Sequence, residues 1–264
     1  MIASIVMTAA VLALYAPVLR ELVAVWREGS YYAYGFLVPC FSAYLAWQTR
    51  VDDTPRAPTA RGLLVLGAGL ALGTAGTLAA SLTLSTLSLP VTVYGAVWTL
   101  FGAARARRLA FPIGFLAFMA PLPDAVVPAL SLPLQQLAAV VGEHALRVLG
   151  LPVTRQDLFL ALPSVTLHVT EACNGLRFLL AMLVIATAFA GTLALPPLRG
   201  AALVLAGVTL AVGANLARVT GTGVMAELWG PQAAMGLTHV VWGKVVYAAT
   251  LVPFAGLVLQ MRRR

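Results

Sequence analysis

Charge is scarce in this 264-residue chain: Asp, Glu, Lys and Arg together make up 10% of it, and only 9 residues are acidic. A soluble domain is about 25% charged and about 45–50% apolar. Here the hydrophobic share is 61% and the mean hydropathy is +0.92. That scarcity excludes a soluble globule and a disordered chain. Cysteine is nearly missing too, with Cys40 and Cys173 alone. Two cysteines make no disulfide framework, and they have no zinc-type spacing. Neither CxxC nor HExxH occurs.

What is present is a succession of apolar runs. A bilayer crossing takes about 20 apolar residues, which leaves room for about seven to nine crossings with short connections. The expected fold is therefore an all-α polytopic membrane protein, a single domain over 1–264. The formal net charge is +8 and the pI is near 10.2. In a soluble protein that balance would suggest nucleic acid. Here the cations are scattered through short loops, as in cytoplasmic loops of membrane proteins, so the bilayer is the expected partner and nucleic acid is not.

Eight spans are expected: about 2–19, 31–47, 62–82, 87–103, 109–120, 176–195, 201–217 and 240–260. The first lacks a basic start and a clean small-residue cleavage site, so it reads as a span rather than a signal peptide. Residues 48–61 read as a polar loop, and 221–238 as a linker. The segment 124–172 is different, with Asp124, Glu143, His144, Arg147, Arg155, Asp157, His168 and Glu171. Its first half, 125–149, suggests an interfacial or re-entrant helix, with a tilted span as the alternative. Gly150 and Pro152 stop it. Val165 to Thr170 alternates apolar and polar residues, so 153–170 is expected as two short strands around Pro163-Ser164. No internal repeat is evident.

Charge sets the expected orientation. Grouping loops 48–61, 104–108 and 195–200 with the C-terminal tail gathers ten arginines against Asp52 and Asp53. The positive-inside rule then makes both termini cytoplasmic. Residues 124–172 and 219–239 fall outside the cytoplasm.

Ionisable groups in or beside a membrane segment are costly, so they are candidates for function. Cys173, Arg177, Arg218 and His239 all fall near the extracytoplasmic ends of the last three spans. Taken singly, each has a structural reading: a buried thiol, snorkelling arginines, an interfacial histidine. Cys40, mid-span, reads as structural. Lys244 reads as a partner for Glu227 or another carboxylate, and Glu171 as a partner for Arg177 or Arg218. Cys173 and Arg177, four apart, are expected on one helical face. Asn215 and Arg218, three apart, are expected to face together. Jointly, a thiol, an imidazole and a guanidinium suit acyl transfer: the thiolate attacks, the imidazole moves protons, and the guanidinium holds an oxyanion. A zinc site from Cys173, His168 and His239 lacks tight spacing, so neither metal nor cofactor is expected.

Glu171-Ala172-Cys173-Asn174-Gly175-Leu176-Arg177 resembles the active-site signature of the exosortase/archaeosortase family of polytopic membrane cysteine transpeptidases. The stretch from Phe111-Pro112 through Pro121-Leu122-Pro123 to Leu132-Pro133-Leu134-Gln135 is similar to the family's segment upstream of the cysteine. Asn215-Leu216-Ala217-Arg218 resembles its Asn-x-x-Arg segment, and His239 matches its histidine. The resemblance runs over about residues 30–260. It implies catalytic Cys173, Arg218 and His239, on a face formed by 121–177 and 215–240. Glu171, Asn174, Arg177 and Asn215 are implied as substrate-binding residues. Asn174 departs from the family's commoner serine. The implied location is the cytoplasmic (inner) membrane, with the site extracytoplasmic. The implied partners are C-terminal tails of secreted proteins: a short motif (often Pro-Glu-Pro in bacteria), an apolar span and a basic end. The competing class is a transporter, or a scaffold for polysaccharide export, in which Cys173 is incidental.

Overall fold

The computed structural model describes residues 2–28, 31–49 and 60–263. It is an all-α polytopic membrane protein with one small sheet. Among the described residues, seven helices are long and apolar enough to cross a bilayer. The chain divides into two compact units, Met1–Pro123 and Asp124–Arg264.

The first unit holds α1 (Ile2–Arg27), α2 (Leu37–Gln48), α3 (Ala60–Leu78), α4 (Leu82–Phe101), α5 (Ala103–Arg108) and α6 (Ala110–Phe115). Its tightest contact is between α3 and α4. Gly62, Gly69 and Gly76 recur every seven residues on α3, opposite Thr99, Thr92 and Ser85 on α4. A Cβ at any of the three would lie 2.5–2.6 Å from the facing backbone nitrogen. Small residues at such spacing let two helices approach backbone to backbone, which is how packing is gained where lipid offers no hydrophobic contrast. Ser81 caps α4 by accepting from the Leu84 N–H at 3.3 Å. The Tyr15 hydroxyl ties α1 to α4 through Ser88 Oγ and Thr92 Oγ1, both at 2.8 Å.

Two expected spans prove short. The run 31–47 is a 3₁₀ turn, Ala33–Phe36, followed by the 12 residues of α2, about 18 Å of helix against a hydrocarbon core of about 30 Å. Gly35 abuts the Trp26 indole, and that ring packs edge-on against Phe36. The run 109–120 is α6, six residues, followed by a 3₁₀ turn, Leu116–Met119. Most of the expected polar loop 48–61, with Arg50, Asp52, Asp53 and Arg56, lies outside the described residues, as does Arg264.

The second unit holds α7 (Val126–Val148), β1 (Thr154–Gln156), β2 (Phe159–Ala161), β3 (Thr166–His168), α8 (Leu176–Thr192), α9 (Pro197–Trp229) and α10 (Gly236–Arg263). The stretch read as interfacial is thus one 23-residue helix that continues through Pro133. It is long and apolar enough to cross a bilayer, the alternative of the two readings; Gln136 and Arg147 are exposed, while Gln135 and Glu143 have protein partners. Gln135 Nε2 donates to Ser131 Oγ, and Glu143, 8% exposed, accepts from Arg147 Nη2 at 2.7 Å and Arg155 Nε at 3.0 Å. That carboxylate clamps α7 to the sheet.

The sheet is antiparallel in the order β1-β2-β3. It has three strands rather than two, and Pro163-Ser164 forms the β2–β3 turn as expected. Glu227 holds this turn, accepting from the Ser164 backbone N–H and hydroxyl; its carboxylate is engaged there. Ala138, Ala139 and Leu146 of α7, Leu160 of β2 and Val219 of α9 form one core cluster. Met182, Ala186, Leu203, Ala211, Phe254 and Val258 form a second, among α8, α9 and α10.

The linker expected over 221–238 is largely helix. The 33 residues of α9 extend about 50 Å, well past a bilayer core. The missing side chain at Gly221 lets the Trp242 ring lie against the helix, and that at Gly223 admits Leu146. A 3₁₀ turn, Pro231–Ala234, then leads into α10.

Candidate active site

The site is assembled around the turn that precedes α8. Glu171–Cys173 is a single 3₁₀ turn, and Gly175 takes a left-handed φ of +74° before the helix begins at Leu176. A Cβ at Gly175 would be strained there and would lie 2.5 Å from Asn215 Cγ. Because the helix starts after Gly175, Cys173 and Arg177 do not share a helical face, contrary to the spacing argument. Arg177 is exposed.

Buried side chains hold the turn by its backbone. Asn215 Nδ2 donates to the Cys173 carbonyl at 2.8 Å, and Arg218 Nη2 donates to the Ala172 carbonyl at 2.8 Å. Asn174 Oδ1 accepts from the Leu176 N–H at 2.8 Å, and its Nδ2 donates to Ser131 Oγ at 2.7 Å. Both asparagines are buried. Asn215 and Arg218 do face together, on α9.

The turn opens onto a cavity of about 380 Å³ lined by Cys173, Arg218 and His239, together with the β3 segment and the 231–235 turn. The volume is in the range of ligand sites, roughly 300–1,000 Å³. Cys173 is a free thiol, half-buried, with the Thr170 hydroxyl 3.9 Å from its sulfur. Arg218 is 8% exposed, and its Nε has no hydrogen-bond partner among the described residues. The Nδ1 of His239 is likewise buried and unpartnered. A buried donor left unspent beside a cavity is costly unless a ligand uses it. Cys173, Arg218 and His239 share this wall, whereas Glu171 and Arg177 lie outside it, and Asn174 and Asn215 act on the backbone behind it.

Two contributors escaped the sequence reading. Tyr247 donates to Asn215 Oδ1 at 3.2 Å, and its ring lies 5.9 Å from the Arg218 guanidinium. Trp242 Nε1 donates to the Arg218 carbonyl at 3.0 Å. The available signal was spacing: His239, Gly243 and Tyr247 follow at intervals of four on one face of α10. Gly243 leaves room for the Arg218 side chain, whose Cδ lies 3.5 Å from where a Cβ would stand. His168 also reaches the cavity and stacks on Phe159 at 4.3 Å. Among the described residues, no group of three His, Cys, Asp or Glu side chains suits a metal ion.

A family model described as "Transmembrane exosortase" matches residues 26–256. That covers most of the chain, and the protein belongs to the transmembrane exosortase family. No curated protein and no solved structure matches it.

Proposed function

We propose that this transmembrane exosortase is a thiol protease-transpeptidase that cuts C-terminal sorting tails of secreted proteins at the outer face of the cytoplasmic membrane. The observation that carries the reading is the meeting of Cys173, Arg218 and His239 on one cavity wall, from three separate segments.

The Cys173 sulfur attacks the scissile carbonyl carbon, and His239 takes up the thiol proton. Arg218 offers an N–H to the developing oxyanion. The tetrahedral species collapses as the C–N bond breaks, and the imidazolium returns its proton to the leaving amine. The tail departs, leaving a thioester on Cys173. An amine or water then attacks that thioester and restores the thiol.

Helix length supports the placement. From Pro197 to Arg218 is about 32 Å along α9, and from His239 to Arg262 about 35 Å along α10. Each is close to the thickness of the hydrocarbon core, about 30 Å. If Arg199 and Arg262 mark the cytoplasmic boundary, the cavity opens at the other one. A tail with a short motif of the Pro-Glu-Pro kind, an apolar span and a basic end fits this layout. The basic end stays inside, the span lies among the helices, and the motif reaches Cys173.

The test compares C-terminal peptides of exported proteins, by mass spectrometry, in cells carrying the wild type or Cys173→Ala. Uncut apolar tails in the mutant alone are the expected result. Identical tails in both strains would sink the thiol mechanism. Cys173→Ser separates this reading from a carrier, which would tolerate the change.

A further inference from the structure

We propose that β3 binds the substrate as an added strand: an extended, carboxylate-bearing peptide segment pairs its backbone with the open edge of Thr166–His168 and is led along it to Cys173. This rests on the tail-cleaving reading above and specifies how the tail is recognised.

β3 has one neighbour in the sheet, β2. The bonds from Leu162 N to Val165 O and from Val169 N to Leu158 O, both 2.9 Å, fix which residues turn their backbone inward. In an antiparallel pair this alternates, so Val165, Leu167 and Val169 face β2. The N–H and C=O of Thr166 and the N–H of His168 face away. The His168 carbonyl accepts from the Thr170 N–H at 3.0 Å. Among the described residues, no protein group bonds to the other three. A free edge of this kind is ordinarily blunted by proline, lysine or a bulge, and 166–168 carries none of these.

The cavity follows β3. Side chains along a strand alternate between its two faces, and here Val165, Leu167 and Val169 pack on the core cluster while Thr166, His168 and Thr170 are exposed. Yet the cavity touches every residue from Val165 to Thr170. A lining that takes in all six in succession follows β3 along its length, and Leu160 of β2 joins it. It continues past Ala172 to Cys173, and the 231–235 turn forms its far wall. The space is therefore a slot with a hydrogen-bonding rail on one side and a thiol at its end, the arrangement used for strand addition by extended peptides.

Charge selects the occupant. The cavity wall carries Arg218, His168 and His239 and no Asp or Glu. Arg218 is almost wholly buried with Nε unspent. A peptide carrying a carboxylate complements that wall; a basic one does not.

Thr166→Pro removes one outward N–H and leaves the inward bonds of 165, 167 and 169 in place. With the full chain in its own host's membrane, tails of exported proteins are quantified by mass spectrometry. Thr166→Pro is expected to lower cleavage roughly tenfold or more. The variant should retain the wild-type membrane level and iodoacetamide labelling of Cys173. A second measurement needs no variant. The cut tail is synthesised with an N-methyl group at successive residues and offered to wild-type protein in nanodiscs; cleavage should fall at every second residue. Even cleavage across that series overturns strand pairing and leaves the thiol reading standing. If Cys173→Ala accumulates no uncut tails, the thiol reading fails first and strand pairing falls with it.

Discussion

Asn215 and Cys173 are joined through the backbone: the asparagine Nδ2 donates to the cysteine's own carbonyl at 2.8 Å. The side chain that would carry the chemistry is thus left free, while its main chain is held from α9. Asn215 is itself held by the Tyr247 hydroxyl at 3.2 Å. In the proposed mechanism it acts as a positioning residue, one step behind the thiol.

Asn215→Ala leaves a partly buried carbonyl without its donor, a loss of about 1–3 kcal/mol at most. Tail cleavage is expected to fall roughly 10–100-fold. Iodoacetamide labelling of Cys173 is expected to quicken as the turn loosens. Unchanged labelling together with unchanged cleavage would remove Asn215 from the positioning role.

Arg218→Lys keeps the charge and loses the planar fork. One N–H of that fork already holds the Ala172 carbonyl, and a lysine has no rigid second donor to offer the cavity. Cleavage is expected to drop roughly a hundredfold, close to the effect of Arg218→Ala. Wild-type rates from the lysine variant would mean that a point charge suffices. Single-turnover measurement on the identified tail would resolve this.

Gly175→Ala forces a side chain into the left-handed region, at about 1–2 kcal/mol, and drives its Cβ to 2.5 Å from Asn215 Cγ. Lower thermal stability and loss of cleavage are expected together. Gly213→Ala, where nothing lies within 4 Å, serves as the comparison and should change neither. Melting in detergent, followed by intrinsic fluorescence, reads out the difference.

Gly69→Ala should open the α3–α4 contact, since its Cβ would stand 2.6 Å from the Thr92 backbone nitrogen. A loss of about 1–3 kcal/mol is expected, as for overpacking a close-packed site. Gly67→Ala, two residues away with open space around it, should be neutral or slightly stabilising. Equal melting of the two variants would contradict the close approach.

Composition alone was enough for the class, because a chain this poor in charge cannot cover a soluble surface. Motif order put forward Cys173, Arg218 and His239 as candidates. Span counting went astray at 31–47 and 109–120, and left 125–149 between an interfacial helix and a tilted span, because hydropathy sums a window without knowing which way each side chain points. Glu143 and Gln135 made α7 look interfacial, yet each is satisfied by a protein partner. The heptad of Gly62, Gly69 and Gly76 was in plain view, but its meaning depended on Ser85, Thr92 and Thr99 running the opposite way on the next helix.

Residue identity and local spacing thus settled the membrane class, the Pro163-Ser164 turn and the joint facing of Asn215 and Arg218, since these depend on transfer energies and periodicity within one segment. The shared wall of Cys173, Arg218 and His239 was settled by packing. Those residues are separated by 45 and 21 positions, and only the crossing of α9 and α10 beside the turn before α8 brings them to one cavity. The same packing separated Cys173 from Arg177. Four residues apart, they would share a face in a continuous helix, but the left-handed Gly175 between them ends that geometry. Local spacing carries no information about where a helix begins when a neighbouring helix sets its start.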